Sequence, residues 1–167
     1  MNPFTRLMTF GPFLCTLIQA ASFQPSSLPF TFEPNRGQSD PQVRYIGRSP
    51  GAAVWFTDSG VVLSAARTAA LGFKFAGGNP HPRIEGTSPT GGRSNYFPAD
   101  SSRWRTNVPQ FERVRYSRVY PGIDLVFYGN PSTLEYDWIV QPGADPRDVA
   151  RRLSPARRTR APRPASG

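Results

Sequence analysis

The sequence predicts an all-β fold, an antiparallel sandwich-like domain of short strands. The 167 residues include 15 glycines and 19 prolines, about a fifth of the chain, where about 12% is usual. So many turn-forming residues argue against a helical bundle, whose interior tolerates neither residue. Aromatic side chains make up 13% of the chain, which argues against a fully disordered polypeptide. Short segments rich in β-branched and aromatic residues recur between turn signals, as is typical of a sandwich or a barrel.

Residues 1–22 have the pattern of a secretory signal peptide. Arg6 gives a short basic start, residues 7–18 are almost entirely apolar, and small residues follow. The apolar stretch is too short to span a bilayer, for which about 20 residues are needed. Cleavage after residue 20, 21 or 22 would also remove Cys15. We therefore expect a secreted or cell-surface protein with no membrane span after signal removal; the alternative is a buried N-terminal strand.

Residues 23–149 form the predicted β-rich module. In the segment 134–140, alternate residues such as Tyr136 and Trp138 share one face. The connector 129–132 contains Gly, Asn and Pro and predicts an antiparallel hairpin with the segment before it. Helical character is limited to about one turn at residues 146–152. The candidate strands are 43–46, 53–57, 61–65, 71–75, 83–85, 94–97, 111–116, 123–128 and 134–140.

Residues 150–167 are predicted to be a disordered tail rich in Arg, Pro and Ala. They contain six arginines, no acidic residue and one large aliphatic residue, Leu153, so they cannot offset the entropy of ordering. This run also supplies most of the formal net charge of +9, because residues 21–149 carry thirteen basic and eleven acidic side chains. Nucleic-acid binding calls for a basic face built into the domain. We therefore expect no nucleic-acid partner; the alternative is a tail that binds nucleic acid or anionic lipid.

The supply of reactive side chains is small. One cysteine and one histidine exclude a disulfide framework and a Cys/His zinc site. A hydrolytic triad would depend on His81, which lies between two prolines and is interpreted as a surface residue. The glycine pairs at 77–78 and 91–92 neither open a helix nor precede Lys-Ser/Thr, so they predict no phosphate-binding loop. We therefore assign no catalytic residue, no cofactor-binding residue, no metal ligand and no cofactor.

The predicted hairpin brings acidic residues together. A turn at the middle of its connector places Asp124 opposite Asp137, and Glu135 shares the face of Asp137. Two facing carboxylates could share a proton in acid–base catalysis or hold Ca²⁺. We favour a structural interpretation, in which Arg113 or Arg115 on the preceding strand neutralises them, because opposed like charges destabilise a sheet.

Two other segments are candidates for binding. The polar run at 33–38 offers amide and guanidinium side chains to a ligand. A turn is favoured instead, in which Asn35 and Gly37 take special backbone angles and Arg36 braces a neighbouring strand. Trp104, which lies between two arginines, could stack on a sugar or a base. A tryptophan that anchors a loop on the domain is the more common arrangement.

A series of short motifs follows one another along residues 28–148. They are EPNRGQ at 33–38, VRY at 43–45, NYF at 95–97, WRTNVP at 104–109, VYPGIDL at 119–125, LEYD at 134–137 and PGADP at 142–146. The series resembles the N-terminal domain of large secreted bacterial proteins that carry SBBP β-propeller repeats. The resemblance implies an extracellular β-rich module of unknown biochemical function that precedes propeller repeats or adhesion-type domains. It carries over no catalytic residue.

The resemblance also bears on the C-terminal end of the module. Members of that family continue beyond the PGADP motif with further strands and then repeats, where this chain has its arginine-rich run. We therefore expect the domain to be incomplete at its C-terminal end. The predicted function is that of a non-enzymatic exported module, part of a propeller-repeat protein, that contacts extracellular protein or glycan. The alternative is a carboxylate-based hydrolase that acts on polysaccharide.

Overall fold

The computed structural model describes residues 30–65, 70–129, 133–152, 157–159 and 161–162. The predicted signal peptide, residues 1–22, lies outside the described residues. No helix among the described residues is long and apolar enough to cross a membrane.

The described residues are mostly strands, so the all-β prediction is confirmed. A 3₁₀ turn lies at Ser101–Arg103, and one short helix, α1, spans Arg147–Arg152, where the sequence predicts a single helical turn. The strands are β1 (Thr31–Pro34), β2 (Val43–Ser49), β3 (Ala52–Thr57), β4 (Gly60–Ala65), β5 (Ala70–Lys74), β6 (Arg83–Tyr96), β7 (Arg105–Tyr120), β8 (Ile123–Gly129), β9 (Leu134–Val140) and β10 (Arg157–Thr159).

These strands belong to one antiparallel sheet. Their order is β10-β5-β4-β3-β2-β1-β7-β8-β9, and β6 pairs with β7 beside this path. The sheet curls into a half-barrel, so one curved sheet encloses the core of the predicted sandwich-like domain. The long strands β6 and β7, with 14 and 16 residues, differ from the short strands expected.

Aromatic side chains on the concave face hold the curl in place. Phe127 on β8 contacts the rings of Phe56, Phe73 and Tyr116 at centroid distances of 5.1, 6.1 and 6.0 Å. Although β5 and β9 lie near opposite ends of the strand order, Phe73 reaches Tyr136 on β9 at 6.4 Å. These contacts across the concave side of the sheet bury the apolar face of β8, which the alternation of apolar and polar residues in that strand predicts. Fully buried core residues include Phe32, Phe56, Val114, Tyr116, Ile123, Leu125 and Phe127.

Two boundaries differ from the sequence prediction. The segments 83–85 and 94–97 belong to the continuous strand β6 as far as Tyr96, and the glycine pair at 91–92 lies within it. Gly91 has a φ of +81°, and pairing with β7 shifts register between Pro89 and Arg93. The glycine pair therefore forms a bulge-like irregularity within the strand. From sequence alone, such a glycine pair looks the same as a turn.

The second correction concerns the predicted disordered tail, residues 150–167. Helix α1 extends to Arg152, and β10 pairs antiparallel with β5, with Thr159 opposite Ala70. Strand pairing uses backbone groups, so an arginine-rich segment can add to a sheet edge without apolar side chains to bury. Residues 161–162 are described without regular structure, and the rest of the predicted tail lies outside the described residues.

Replacing Gly47 with alanine is expected to destabilise the centre of the sheet. A Cβ atom at Gly47 would lie 2.5 Å from Cγ1 of Val54 and 2.7 Å from the ring of Phe32. Overpacking a dense core usually costs about 1–3 kcal/mol. Urea unfolding should therefore show this loss for Gly47→Ala and almost none for Ser49→Ala at the end of the same strand. Equal stability of the two variants would contradict the packing of β2 against β1 and β3.

Candidate functional site

Three segments that are distant in sequence meet where the ends of neighbouring strands come together. They are the loop that follows β1, the end of β6 and the start of β7. The Nε of Arg105 donates a hydrogen bond to the carbonyl of Arg36 at 2.6 Å. The backbone amide of Asn107 donates to Oδ1 of Asn95 at 2.9 Å. The first bond holds the loop against the start of β7, and the second joins the start of β7 to the end of β6.

The first loop, residues 35–42, is organised by one side chain. Nδ2 of Asn35 donates to the carbonyls of Asp40 and Val43, each at 2.9 Å. Its Oδ1 accepts from the amides of Gly37 and Ser39 at 3.0 and 3.1 Å. Both polar ends of Asn35 are thus used within the loop, which supports the turn interpretation of this segment over a ligand grip.

The details of that turn differ from the prediction. Gly37 has the special backbone angle, with a φ of +104°, whereas Asn35 is not among the residues with positive φ and acts through its side chain. The arginine that braces the loop is Arg105, which donates a hydrogen bond to the carbonyl of Arg36. Arg36 itself is exposed. A Cβ atom at Gly37 would lie 3.1 Å from the Arg105 guanidinium. Glycine therefore lets the guanidinium approach the loop.

A buried carboxylate lies beneath this end of the sheet. Glu33 is only 4% exposed, accepts a hydrogen bond from the hydroxyl of Tyr96, and lies 3.8 Å from Nε of Arg48. The Arg48 guanidinium also lies 5.9 Å from the centroid of the Tyr96 ring. Burial, together with the hydrogen bond to Glu33, raises the pKa of Tyr96 to about 12. Tyr96 therefore keeps its proton well into the alkaline range, and its hydrogen bond to Glu33 ties β6 to β1.

Two exposed aromatic rings lie above this framework. Phe97 is 62% and Trp104 51% exposed, and their rings meet edge to face, with centroids 5.2 Å apart and planes 87° apart. Nε1 of Trp104 donates to the carbonyl of Pro98 at 3.1 Å. We term Phe97 and Trp104 the aromatic pair. Both rings are open to solvent, and the indole of Trp104 is held by its hydrogen bond. The aromatic pair can offer apolar ring surface to a ligand.

The residues between the two rings are also fixed by local hydrogen bonds. The Asp100 carboxylate accepts from the amide and hydroxyl of Ser102 at 3.0 and 2.7 Å. These bonds keep the pKa of Asp100 below its usual value. On the other side, Nη1 of Arg105 donates to the carbonyl of Trp104 at 2.9 Å. Local hydrogen bonds therefore fix the middle of the connection that carries the aromatic pair and its C-terminal end.

The predicted carboxylate pair is arranged differently. Within the β8–β9 hairpin, Asp137 lies opposite Val126, and Asp124 lies opposite Ile139. The prediction that Asp124 faces Asp137 is wrong by two residues along the strand. Gly129 pairs with Leu134, which moves the centre of the connector one residue beyond the assumed position.

Asp124 takes part in a structural ion pair. It is 3% exposed, and its Oδ2 accepts from Nη2 of Arg115 at 2.5 Å. Its Oδ1 accepts from the backbone amide of Arg118 at 2.6 Å, at a register shift in β7 where Arg118 has a φ of +54°. Burial raises the pKa of Asp124, but the bonds from Arg115 and Arg118 lower it more, so the net pKa is below its ordinary value. The predicted pairing with Arg113 or Arg115 is confirmed.

The other charged residues of this face interact with Tyr128. The hydrogen bond with the Asp137 carboxylate raises the pKa of Tyr128, and the Arg113 guanidinium lies 5.3 Å from the centroid of the same ring. His81 is exposed, as predicted. Within the described ranges, no group of three or more His, Cys, Asp or Glu side chains is placed to hold a metal ion.

Comparison with known families matches residues 32–163 to a domain of unknown function, DUF7948. The chain belongs to this family. The match includes every contact described above and extends into the arginine-rich segment. No curated protein and no solved structure matches the chain.

Removing the Asn35 side chain is expected to loosen the first loop of the DUF7948 domain. Asn35→Ala leaves the amides of Gly37 and Ser39 without their acceptor. Ser39 is buried, and a buried donor left unsatisfied costs about 1–3 kcal/mol. Hydrogen exchange should accelerate at these two amides, while unfolding by urea shows a loss in the same range. Arg36→Ala, which leaves the backbone contacts intact, is the control. Unchanged exchange in Asn35→Ala would contradict the role given to this side chain.

Proposed function

We propose that this domain is a non-enzymatic, exported module that contacts extracellular protein or glycan through the aromatic pair. The supporting observation is the exposure of Phe97 and Trp104 beside local hydrogen bonds that fix the indole and the backbone carbonyl of Trp104. Both residues are more than half exposed, although large apolar side chains gain free energy when they are buried. A ligand that covers both rings would recover that free energy without having to order the loops first.

The surroundings of Asp124 support a structural role over a catalytic one. A general acid needs a pKa near the working pH, whereas the Arg115 and Arg118 contacts keep the pKa of Asp124 low. Asp137 lies across from Val126 and interacts with Tyr128. The two carboxylates therefore have separate partners, which disfavours the polysaccharide hydrolase as an alternative.

The wider setting is also part of the proposal. The motifs between residues 28 and 148 resemble the N-terminal domain of secreted SBBP β-propeller-repeat proteins, and the apolar segment within residues 1–22 resembles a signal peptide. We place the domain at the cell surface or outside the cell, in the N-terminal part of such a protein. In that setting, an exposed recognition surface has access to matrix and envelope polymers.

The test is co-sedimentation of the full chain with insoluble bacterial envelope material, combined with an assay for released reducing sugar. The wild-type protein should bind without releasing sugar, and Trp104→Ala should bind about tenfold more weakly. Asp124→Asn should bind as the wild type does. Binding that is indifferent to Trp104→Ala would refute the proposal. Sugar release that disappears in Asp124→Asn would instead establish the hydrolase.

A further inference from the structure

We infer that the aromatic pair binds acidic polysaccharide, with a pyranose ring packed on Trp104 and its carboxylate facing the neighbouring arginines. This inference rests on the proposed contact function and names its ligand class. It draws on three features of the site: the state of the indole N–H, the angle between the rings, and the local balance of charge.

The indole N–H of Trp104 is already engaged. It donates to the carbonyl of Pro98 at 3.1 Å, so the ring presents its π surface and has no free donor for a ligand. An extended peptide needs partners for the carbonyls that it buries. The apolar C–H face of a pyranose, by contrast, can pack on the indole while its hydroxyl groups stay hydrated. The engaged N–H thus favours a sugar over a peptide.

The geometry of the rings also suits a sugar. The planes of Phe97 and Trp104 are 87° apart, which forms a corner with one wall from each ring. A pyranose is thick enough to contact one wall with its face and the other with its edge, gaining dispersion contacts with both. A single-stranded nucleic acid is bound most readily where successive bases stack on successive aromatic faces along a basic groove. A perpendicular pair of rings offers no such series.

The charge around the aromatic pair is positive. Within residues 35–38 and 95–107, three basic side chains stand against one acidic residue, Asp100. Arg105 is used in holding the loops, with bonds to the carbonyls of Arg36 and Trp104, and Asp100 accepts from Ser102. Arg36 is exposed beside this clamp. A uronate carboxylate complements this surplus of positive charge, whereas a neutral sugar does not.

The experiment is a titration of the full chain, followed by tryptophan fluorescence and calorimetry. The ligands are polygalacturonate, alginate and hyaluronate. Fully methyl-esterified polygalacturonate serves as the matched uncharged polymer, and oligo-dT as the nucleic-acid competitor. At least one uronate polymer should bind, about tenfold more tightly than the methyl ester at low salt. Trp104→Ala should weaken binding about tenfold, Trp104→Phe should retain most of it, and Arg36→Gln should reduce the preference for the acid over the ester. Ile139→Ala, which removes an exposed apolar side chain on β9, should bind normally.

Several results would overturn this inference. They are equal binding of the acid and its ester, tighter binding of oligo-dT, or no binding of any uronate polymer. If envelope binding still depends on Trp104 in that last case, the ligand class is wrong and the contact function stands. If envelope binding is absent as well, both proposals fail.

Discussion

Replacing Phe127 with alanine is expected to lower the free energy of unfolding by about 3–5 kcal/mol, the usual cost of removing a buried phenylalanine ring. Phe127 is fully buried and lies against rings from strands that are distant in the sheet. Its contacts include Phe56 on β3 and Phe73 on β5. Since small domains are stable by only about 5–15 kcal/mol, the variant should lose much of its stability in urea unfolding.

Phe127→Leu is the matched control, because it keeps an apolar side chain of smaller volume in the same cavity. It should cost clearly less than the alanine variant. The two substitutions also test the curvature of the sheet. If Phe127→Ala unfolded at the same urea concentration as the wild type, the contacts that join β8 to β3 and β5 would not contribute to the folded state.

The second large effect is expected at Asp124. Asp124→Ala leaves the amide of Arg118 without an acceptor and the half-exposed Arg115 without its carboxylate. Hydrogen bonds to a charged group contribute about 1.5–3 kcal/mol, so a loss of about 2–3 kcal/mol is expected. Asp124→Asn should lose less, because the amide oxygen can still accept from Arg118. The measurement is urea unfolding at pH 7.

The same carboxylate gives a pH dependence. The pKa of Asp124 is lower in the folded protein than its ordinary value, so ionised Asp124 stabilises the fold above about pH 4. This contribution decreases as the pH falls through the lowered pKa of the folded state. The stability difference between the wild type and Asp124→Asn should therefore narrow in acid. A difference that stays constant from pH 7 to pH 2 would contradict the ion pair.

The sequence predicts the strands better than their pairing. Alternation identifies the buried face of β8, and the β8–β9 hairpin forms as expected. Its register could not be derived, because moving the centre of the connector by one residue moves each cross-strand partner by two. Asp124 therefore faces Ile139 instead of Asp137. The ion pair with Arg115 was predictable nonetheless, since a carboxylate on a covered sheet face needs a cation nearby.

The sheet architecture was less accessible to sequence reasoning. A sandwich and a curled sheet have the same alternation of apolar and polar residues, and they differ in which strands are hydrogen-bonded to one another. The continuous strand order from β10 to β9 in one sheet decides between them, and no local pattern encodes it. Strand β10 was missed for a related reason, because its pairing with β5 depends on backbone groups.

The candidate site was predictable only in pieces. Trp104 stands out as a tryptophan between arginines, and the run 33–38 stands out as a polar cluster. Nothing in the spacing shows that Arg105 joins the two, or that Phe97 completes the aromatic pair. The buried contact of Glu33 with Tyr96 was also missed, because an acidic residue in a polar run is expected to be exposed.

The most direct test of the proposed recognition surface is an NMR titration of the ¹⁵N-labelled full chain with a uronate polymer, observed at the indole N–H signals. The chain has three tryptophans, at positions 55, 104 and 138, and Trp104→Phe assigns the relevant signal. The signal of Trp104 should shift in a saturable manner, while those of Trp55 and Trp138 stay in place. A shift confined to Trp138, or no shift at saturating polymer, would contradict recognition through the aromatic pair.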